Sequence, residues 1–255
     1  MMAGRLDGKI AWINGASRGI GLAIAEAFLA QGAKCAISSR KEDVIRKVAE
    51  TLSETYQTTV YGYACHTGRQ ADIEDTYTQI TEAVGVPDVL VNNAGTSPYF
   101  GPLLNAPDLL WDKTFDVNLK GPFWATRCVA KSLLDSGKPG SIINTASIQG
   151  HLGSPLQGVY GLTKSALVSM TKTLALELGP AGIRVNAISP GLVETKLASL
   201  LTDNPDFSKS YTDRAALRRF GQPNEIAGAA VFLASDESTY LTGQSIIIDG
   251  GYTAA

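Results

Sequence analysis

Residues 9–21 read KIAWINGASRGIG, a short and mostly apolar run to Asn14 that is followed at once by a turn with three glycines. Apolar residues at helical spacing continue from Leu22 to Gln31, and Gly32 follows as a residue typical of a helix C-terminus. This succession is the context of a phosphate-binding turn, because glycines permit close backbone approach while the helix N-terminus faces the pyrophosphate. The stretch therefore predicts a dinucleotide-binding unit at the start of the chain.

Strand-like and helical segments alternate from this unit to the end of the chain. Helical patterns separate the strand-like segments, and we find no linker, repeat or low-complexity segment. The strand-like segments after the first are Ala33–Ser38, Thr59–Cys65, Pro87–Val91, Gly140–Ala146, Gly182–Ile188 and Ser245–Asp249. The alternation predicts one α/β domain over residues 1–255, a Rossmann-like doubly wound fold with a seven-stranded parallel sheet and helices on both faces.

Residues 192–220 are the exception to this alternation. From Leu197 to Phe220 the sequence has weak periodicity, many polar residues and no strand pattern. We expect residues 192–220 to form a mobile helical lid over the substrate pocket. The last helix then starts at Pro223, with Asn224 as its expected N-cap.

Composition and charge narrow the class of protein. Of 255 residues, 44% are hydrophobic, which is ample for a large core, and 22 basic against 24 acidic residues leave a net charge of −2. We therefore expect no nucleic-acid partner, and no apolar run is long enough for a membrane span or a signal peptide. Three widely spaced cysteines (Cys35, Cys65 and Cys128) predict reduced core thiols in a cytoplasmic protein. With only two histidines, we expect neither a metal site nor a Ser-His-Asp triad.

The end of the second strand indicates which dinucleotide binds. An acidic residue there would hold the ribose 2′-hydroxyl and repel a 2′-phosphate, but the sequence is Ser38-Ser39-Arg40-Lys41. Arg18 in the glycine turn is expected to converge on the same place, and two guanidinium groups suit a phosphate dianion. We therefore predict NADP(H) over NAD(H). The alternative is that Arg40 and Lys41 only begin the solvated face of the next helix.

The candidate catalytic group is Tyr160-Gly161-Leu162-Thr163-Lys164, with Ser147 upstream of it. A tyrosine and a lysine four residues apart share one face of a helix. An ammonium near the phenol is expected to lower its pKa from about 10, while a serine hydroxyl can hydrogen-bond a substrate oxygen. Together they predict proton transfer at a carbonyl or alcohol. The alternative is that both are ordinary residues of a helix surface.

Several other polar residues lie where strands or helices are expected to end. Asn92-Asn93-Ala94-Gly95 follows the fourth strand and leaves room for a flat ligand at the sheet edge. Asn118 precedes a break at Gly121-Pro122, where a freed backbone carbonyl is expected to bind a water or another polar group. His66 would bind adenine or cap its strand, and His151 would contact substrate or lie on a surface loop.

With these motifs in one order and spacing, the chain resembles the classical short-chain dehydrogenases/reductases from Lys9 to Gly251. The matching positions are Gly15-x-x-x-Gly19-Ile20-Gly21, Asn92-Asn93-Ala94-Gly95, Asn118, Ser147, Tyr160-x-x-x-Lys164, Pro190-Gly191 and Asp249-Gly250-Gly251. Two positions depart from the family pattern. Asn14 stands where threonine is usual, and Cys65-His66 stands where an aspartate often binds adenine. Some carbonyl reductases of the family are similar at Ser38–Lys41 and at Cys65-His66.

The resemblance implies a role for each matching residue. Tyr160 would be the general acid in reduction and the base in oxidation, and Ser147 would polarise the carbonyl. Lys164 would lower the pKa of Tyr160 and bind the nicotinamide ribose, while Asn118 would hold a water of a proton relay. A homotetramer is implied, with the Asn118 and Tyr160 helices in one interface. The expected cofactor-binding residues are Gly15, Ser17, Arg18, Gly19, Ile20, Gly21, Ser39, Arg40, His66, Asn93, Ala94, Gly95, Tyr160, Lys164, Pro190, Gly191, Val193 and Thr195.

The predicted function is NADP(H)-dependent interconversion of a ketone or aldehyde and an alcohol. Alternatives are a 3-oxoacyl thioester reductase, an NAD-dependent sugar, polyol or steroid dehydrogenase and, more remotely, a non-catalytic NADP sensor. The expected partner is a small-molecule carbonyl or alcohol. The candidate pocket residues include no charge cluster, which favours a mid-sized neutral ketone. Those residues are Ser97, Tyr99, Phe100, Gln149, His151, Leu152, Val159, Leu192 and Leu197.

Overall fold

The computed structural model describes residues 4–198 and 202–254. Seven parallel strands form one sheet in the order β3-β2-β1-β4-β5-β6-β7. The strands are β1 Ile10–Asn14, β2 Lys34–Ser39, β3 Tyr61–Ala64, β4 Val89–Asn92, β5 Gly140–Thr145, β6 Ile183–Pro190 and β7 Ser245–Ile248. The predicted doubly wound α/β fold is confirmed.

Helices cover both faces of this sheet. They are α1 Gly19–Ala30, α2 Glu42–Tyr56, α3 Gln70–Ala83, α4 Asp108–Phe115, α5 Gly121–Ser136, α6 Gly158–Leu178, α7 Pro205–Arg214 and α8 Pro223–Ala234. Successive side chains of a strand point to opposite faces, so the core divides into two layers. In β1, Ala11 and Ile13 pack in the layer that includes α1, α2 and α8, whereas Trp12 packs in the layer of α3, α5 and α6.

Two local differences from the sequence-based prediction have physical causes. Helix α1 begins at Gly19, three residues earlier than its apolar pattern, because the glycine turn itself supplies the first helical turn. Helix α8 is not capped by Asn224, since Pro223 already occupies its first helical position. Its N-cap is Gln222, whose backbone N–H donates to the Glu225 carboxylate at 2.7 Å.

The break predicted near Gly121-Pro122 is a single wide turn. A π-helical turn at Asp116–Lys120 separates α4 from α5, and Asn118 lies within it. Such turns rearrange the backbone hydrogen-bond ladder and frequently occur at functional sites. In this protein the turn is centred on a residue that the sequence had already singled out.

Candidate active site

The candidate site lies at the carboxyl edge of the sheet, where β1, β4, β5 and β6 end together. The order β1-β4 brings the glycine turn beside the Asn92–Gly95 segment, although about 78 residues separate them along the chain. In an open parallel sheet this edge, at the point where strand order reverses, is the position at which ligands bind.

The glycine turn has backbone geometry that a side chain would prevent. Gly15 has φ +72°, and a Cβ added there would lie 2.7 Å from the backbone of Ala94. At Gly21 an added Cβ would lie 2.4 Å from both the Asn93 side-chain amide and the Gly15 carbonyl oxygen. Thr195, from the segment after β6, approaches Gly19 from the other side. These approaches form a narrow backbone cradle at the N-terminus of α1 that fits a pyrophosphate group.

Four asparagines, which we call the amide cluster, tie the strand ends together: Asn14, Asn92, Asn93 and Asn144. The Asn14 side-chain oxygen accepts from the backbone N–H groups of Asn93 and Ala94, both at 3.0 Å. Its amide nitrogen donates to Asn92 at 2.9 Å, and Asn92 donates to Asn144 at 3.0 Å. Asn14, in place of the threonine that the family usually has, therefore connects β1 to β4 with both ends of its amide.

Two cations that have no partner among the described residues flank the cradle. The backbone N–H groups of Gly15 and Ala16 donate to the Ser38 carbonyl at 2.8 and 3.2 Å, which holds the glycine turn against the end of β2. Arg18 and Arg40 leave this junction as exposed side chains, and neither forms a hydrogen bond or ion pair with any described residue. Their guanidinium groups are available to an anionic ligand.

Lys164 and Asn118 converge beneath Gly95. A Cβ added at Gly95 would lie 3.7 Å from both the Lys164 Nζ and the Asn118 Oδ1. The Lys164 ammonium is buried and donates to the Thr145 carbonyl at the end of β5, at 2.6 Å. The Asn118 side chain accepts from the Thr96 N–H at 2.8 Å and donates to the Thr96 carbonyl and to Thr163. The Asn118 side chain therefore fixes the loop after β4.

Tyr160 and Ser147 complete the group on the side nearer solvent. Lys164 Nζ lies 5.5 Å from the centre of the Tyr160 ring, and the Ser147 hydroxyl is close enough to the phenol to lower its pKa. The Ser147 hydroxyl also accepts from the Gln149 N–H at 3.2 Å, which orients it at the end of β5. A phenol, a hydroxyl and an ammonium in this arrangement can deliver a proton to a substrate oxygen.

The pKa values of Tyr160 and Lys164 differ from the prediction that Lys164 lowers the pKa of Tyr160. Burial raises the pKa of Tyr160 to about 12, partly opposed by the Ser147 hydrogen bond, although some of the ring remains accessible. Burial also lowers the pKa of Lys164 to about 8. Desolvation disfavours both charged forms. The phenol is therefore protonated at neutral pH.

Comparisons with known proteins identify the family of this chain. Residues 15–253 match the family model described as enoyl-(acyl carrier protein) reductase. The chain is 40% identical over 253 residues to dehydrogenase/reductase SDR family member 4 of Caenorhabditis elegans, covering 98% of this chain and 97% of that protein. This chain belongs to the short-chain dehydrogenase/reductase family. It is therefore an oxidoreductase that acts on substrates of the alcohol and ketone type.

Other relatives show the same correspondence over the whole length of this short-chain dehydrogenase/reductase. The human dehydrogenase/reductase SDR family member 4 is 35% identical over 246 residues, covering 96% of this chain and 88% of that protein. The crystal structure of a gluconate 5-dehydrogenase from Burkholderia cenocepacia, in complex with NADP and tartrate, is 34% identical. It superimposes with a TM-score of 0.94 and covers 98% of this chain and 97% of that one.

The segment that the sequence predicts as a lid, residues 192–220, contains one described helix, α7, while residues 199–201 lie outside the described part of the enzyme. Tyr211 of α7 is buried, and its hydroxyl accepts from the Leu192 N–H at 2.7 Å. The Tyr211 ring stacks on Tyr252 with centroids 4.4 Å apart. A Cβ at Gly191 would lie 2.5 Å from the Tyr211 hydroxyl, so the expected cofactor residues Pro190 and Gly191 abut this anchor.

The two histidines both have partners within the protein. His66 accepts from the Gly68 N–H at 3.2 Å through Nδ1, within its own turn. His151 Nε2 lies 2.9 Å from Ser189 Oγ and 3.2 Å from Ser245 Oγ, which ties its loop to β6 and β7. Burial, and then the charge of Lys172, lower the pKa of His151. The sequence alone gave no signal for its serine partners, which lie 38 and 94 residues away.

One residue that contacts two of the pocket candidates was not singled out from the sequence. Gln157 lies three residues before Tyr160, one helical turn away, and that spacing could have indicated it. Its side chain joins two residues that the sequence did single out, Ser97 and Gln149. By contrast, Tyr99 turns its hydroxyl to the Pro102 carbonyl at 2.9 Å, and Phe100 is largely exposed.

Proposed function

We propose that this enzyme reduces a ketone or aldehyde to an alcohol with NADPH, and catalyses the reverse reaction with NADP+. The observation that carries the proposal is the convergence of Ser147, Tyr160 and Lys164 beside a backbone cradle for a dinucleotide. The nicotinamide ring supplies the hydride when the cofactor is bound. The protein then has to bind, orient and protonate the substrate oxygen.

Tyr160 is the proposed proton donor in the reduction. Its raised pKa keeps the phenol protonated at neutral pH, as a general acid requires. Ser147 is proposed to hydrogen-bond the carbonyl oxygen. Lys164 is proposed to bind the nicotinamide ribose, and Asn118 to position the loop beside it. The reverse reaction needs the phenolate, so oxidation is expected to have a more alkaline pH optimum than reduction.

The preference for NADP(H) rests on Arg18 in the glycine turn and Arg40 after β2, a strand that carries no acidic residue. Neither arginine has a partner in the part of the chain that the structure describes. A 2′-phosphate is a dianion that accepts hydrogen bonds from both guanidinium groups. The gluconate 5-dehydrogenase relative holds NADP. Because that relative is named a gluconate 5-dehydrogenase, a sugar or polyol is the second candidate substrate. Acyl thioesters and steroids are also included in the panel to be tested.

We also propose that residues 192–220 close over the substrate and that the enzyme is a cytoplasmic homotetramer. Leu109, Phe123, Leu134, Leu162 and Leu176 are exposed on α4, α5 and α6, with Leu176 at 81%. Exposed apolar side chains on adjacent helices are typical of subunit interfaces. The three cysteines are free thiols, and no described helix is long and apolar enough to cross a membrane. Light scattering during size-exclusion chromatography measures the number of subunits.

The test is NADPH and NADH oxidation over a panel of ketones, diketones, β-keto esters, acyl thioesters, steroids and sugars, with wild type and Tyr160→Phe. We expect wild type to prefer NADPH and Tyr160→Phe to lose at least about a thousandfold in kcat, because general acid catalysis contributes factors of this order. NADPH binding, measured by fluorescence, should be unchanged. Near-normal turnover by Tyr160→Phe would refute the mechanism, and NADPH binding without turnover of any carbonyl would favour a sensor.

A further inference from the structure

Three polar side chains form a hydrogen-bonded chain on the substrate side of the site. Gln149 Nε2 donates to Gln157 Oε1 at 2.7 Å, and Gln157 Nε2 donates to Ser97 Oγ at 3.2 Å. The three residues come from the loop after β4, the loop after β5 and the N-terminus of α6. We call them the glutamine chain. It spans 60 residues of sequence and includes a residue, Gln157, to which the proposed reaction assigns no role.

One end of the glutamine chain is incomplete. The Gln149 Oε1 is buried and has no hydrogen-bond partner among the described residues. At the other end, Ser97 accepts a hydrogen bond, which leaves its own hydroxyl proton for another group. A buried amide oxygen without a partner is costly, and such atoms are uncommon in folded proteins unless a ligand or water completes them.

The glutamine chain adjoins the reacting groups at each step. The Gln149 N–H donates to the Ser147 hydroxyl, the proposed ligand of the carbonyl oxygen. Gln157 is one helical turn from Tyr160, the proposed proton donor. Ser97 follows Thr96, whose backbone is held by Asn118. The glutamine chain therefore belongs to the segments that carry Ser147 and Tyr160. We expect a group on the carbon next to a carbonyl held there to be the part of the substrate that meets it.

The chain can also reverse its polarity. Side-chain amides are assigned from their partners, and turning both amides by 180° lets Ser97 donate to Gln157 and Gln157 donate to Gln149. One orientation leaves an acceptor at Gln149 and a donor at Ser97, and the other leaves the opposite. A hydroxyl group both donates and accepts, so it completes either orientation. An alkyl group completes neither.

We propose that Ser97, Gln149 and Gln157 form a specificity subsite for a hydroxyl group on the carbon next to the reacting carbonyl. This inference rests on the proposed function and names its substrate class, α-hydroxy ketones. The carbonyl carbon takes hydride from NADPH, the carbonyl oxygen takes the Tyr160 proton, and the C=O double bond becomes a C–O single bond. The products are a vicinal diol and NADP+, and solvent reprotonates Tyr160.

The experiment compares two ketones of nearly equal shape, acetoin and 3-methyl-2-butanone, in which a methyl group replaces the hydroxyl. We measure kcat/KM for each with wild type, Gln149→Met, Gln157→Met and the control Gln79→Met. Gln79 is an exposed residue of α3 far along the chain from the site, so its substitution makes the same chemical change elsewhere. Methionine keeps the unbranched shape of glutamine and removes its hydrogen bonds.

We expect wild type and Gln79→Met to prefer acetoin at least about tenfold, because a site built to bind a hydroxyl rejects an analogue that lacks it. In Gln149→Met and Gln157→Met the acetoin to 3-methyl-2-butanone ratio should fall at least about tenfold. A merely structural role would lower both rates together and leave the ratio unchanged, which would overturn the inference. Equal use of the two ketones by wild type would also overturn it while leaving the proposed function intact, whereas no NADPH oxidation with any carbonyl would mean that the proposed function itself fails.

Discussion

The amide cluster and residues 192–220 border the same site but are held in different ways. In the amide cluster, the hydrogen bonds between asparagines and those to the Asn93 and Ala94 N–H groups join strand ends or the loops that directly follow them. Asn14, Asn92 and Asn144 are almost fully buried. In residues 192–220, helix α7 is largely exposed, and its one buried residue is Tyr211. The glycine-turn side of the site is therefore built into the sheet, whereas residues 192–220, the proposed lid, are attached to it.

This difference follows from what each region can bury. Parallel strands that end together bring backbone and amide groups to fixed spacings, so their hydrogen bonds form without ordering additional chain. A surface segment must offset the entropy of ordering its residues with the contacts that it makes. Segments with few buried contacts open at low free-energy cost, as substrate-binding lids require. The predictions below test this contrast, beginning with the largest expected effect.

Asn14→Leu should destabilise the amide cluster most. It leaves the N–H groups of Asn93 and Ala94 and the Asn92 oxygen without their partner, and each unsatisfied buried group costs about 1–3 kcal/mol. We expect the free energy of unfolding to fall by about 3 kcal/mol or more in urea titrations. In Asn14→Thr, which keeps an acceptor, the free energy of unfolding should fall by about 1 kcal/mol. Equal losses in the two variants would contradict a role for these hydrogen bonds.

The double variant Arg18→Ala, Arg40→Ala tests the end of the cradle where two exposed guanidinium groups have no partner among the described residues. We expect KM for NADPH to rise about 10- to 100-fold, since charge-assisted hydrogen bonds to a phosphate are among the strong ones. KM for NADH should change little. Lys41→Ala is the matched control, because it removes a neighbouring charge at the start of α2. An equal rise in KM for both cofactors would refute selection by these arginines.

Lys164→Met tests whether the buried ammonium destabilises the fold. In the folded protein Lys164 loses its proton near pH 8, against an ordinary value of 10.5 for the unfolded chain. Between these values the unfolded state binds more protons, so the free energy of unfolding of wild type should rise with pH. Below pH 8 the penalty is fully present. We expect wild type to gain about 1–3 kcal/mol relative to Lys164→Met from pH 7 to pH 10.5.

Because both proteins contain Tyr160, their difference isolates the titration of Lys164. Two parallel profiles of unfolding free energy against pH would show that Lys164 has the same pKa in the folded and unfolded states. The variant should also lose reductase activity at every pH. A variant that is more stable and inactive would identify Lys164 as a group retained for function at a cost in stability.

Tyr211→Phe should have the smallest effect on global stability and a local effect on residues 192–220. The ring keeps its stack on Tyr252, but the Leu192 N–H loses its acceptor, a change worth about 1 kcal/mol. We expect KM for the carbonyl substrate to rise about threefold, by loss of part of that 1 kcal/mol, with NADPH affinity unchanged. Hydrogen exchange should accelerate in α7 and not in β1, β4 and β5. Acceleration throughout the sheet would contradict the two-part description.

Much of the fold and of the site was readable from local patterns. The glycine turn, the alternation of strands with helices, and the spacing of Tyr160 and Lys164 all depend on residues close in sequence, so periodicity and turn chemistry sufficed. Strand ends were predicted less accurately: β3 is Tyr61–Ala64, shorter than the predicted Thr59–Cys65. The prediction that Asn224 is the N-cap of α8 was wrong for a local reason, because Pro223 occupies the first helical position.

The sequence by itself determined a doubly wound α/β sheet, a dinucleotide turn after β1, and which residues would be brought to its carboxyl edge. Only the tertiary structure decided what those residues do to one another. The pKa of Tyr160 depends on how completely folding removes water from it, and burial raised the value that the nearby ammonium was expected to lower. The amide cluster and the hydrogen bond from Gln157 to Ser97 likewise join residues 52 to 80 positions apart. Contacts across such separations are set by strand order and packing, which no local pattern records.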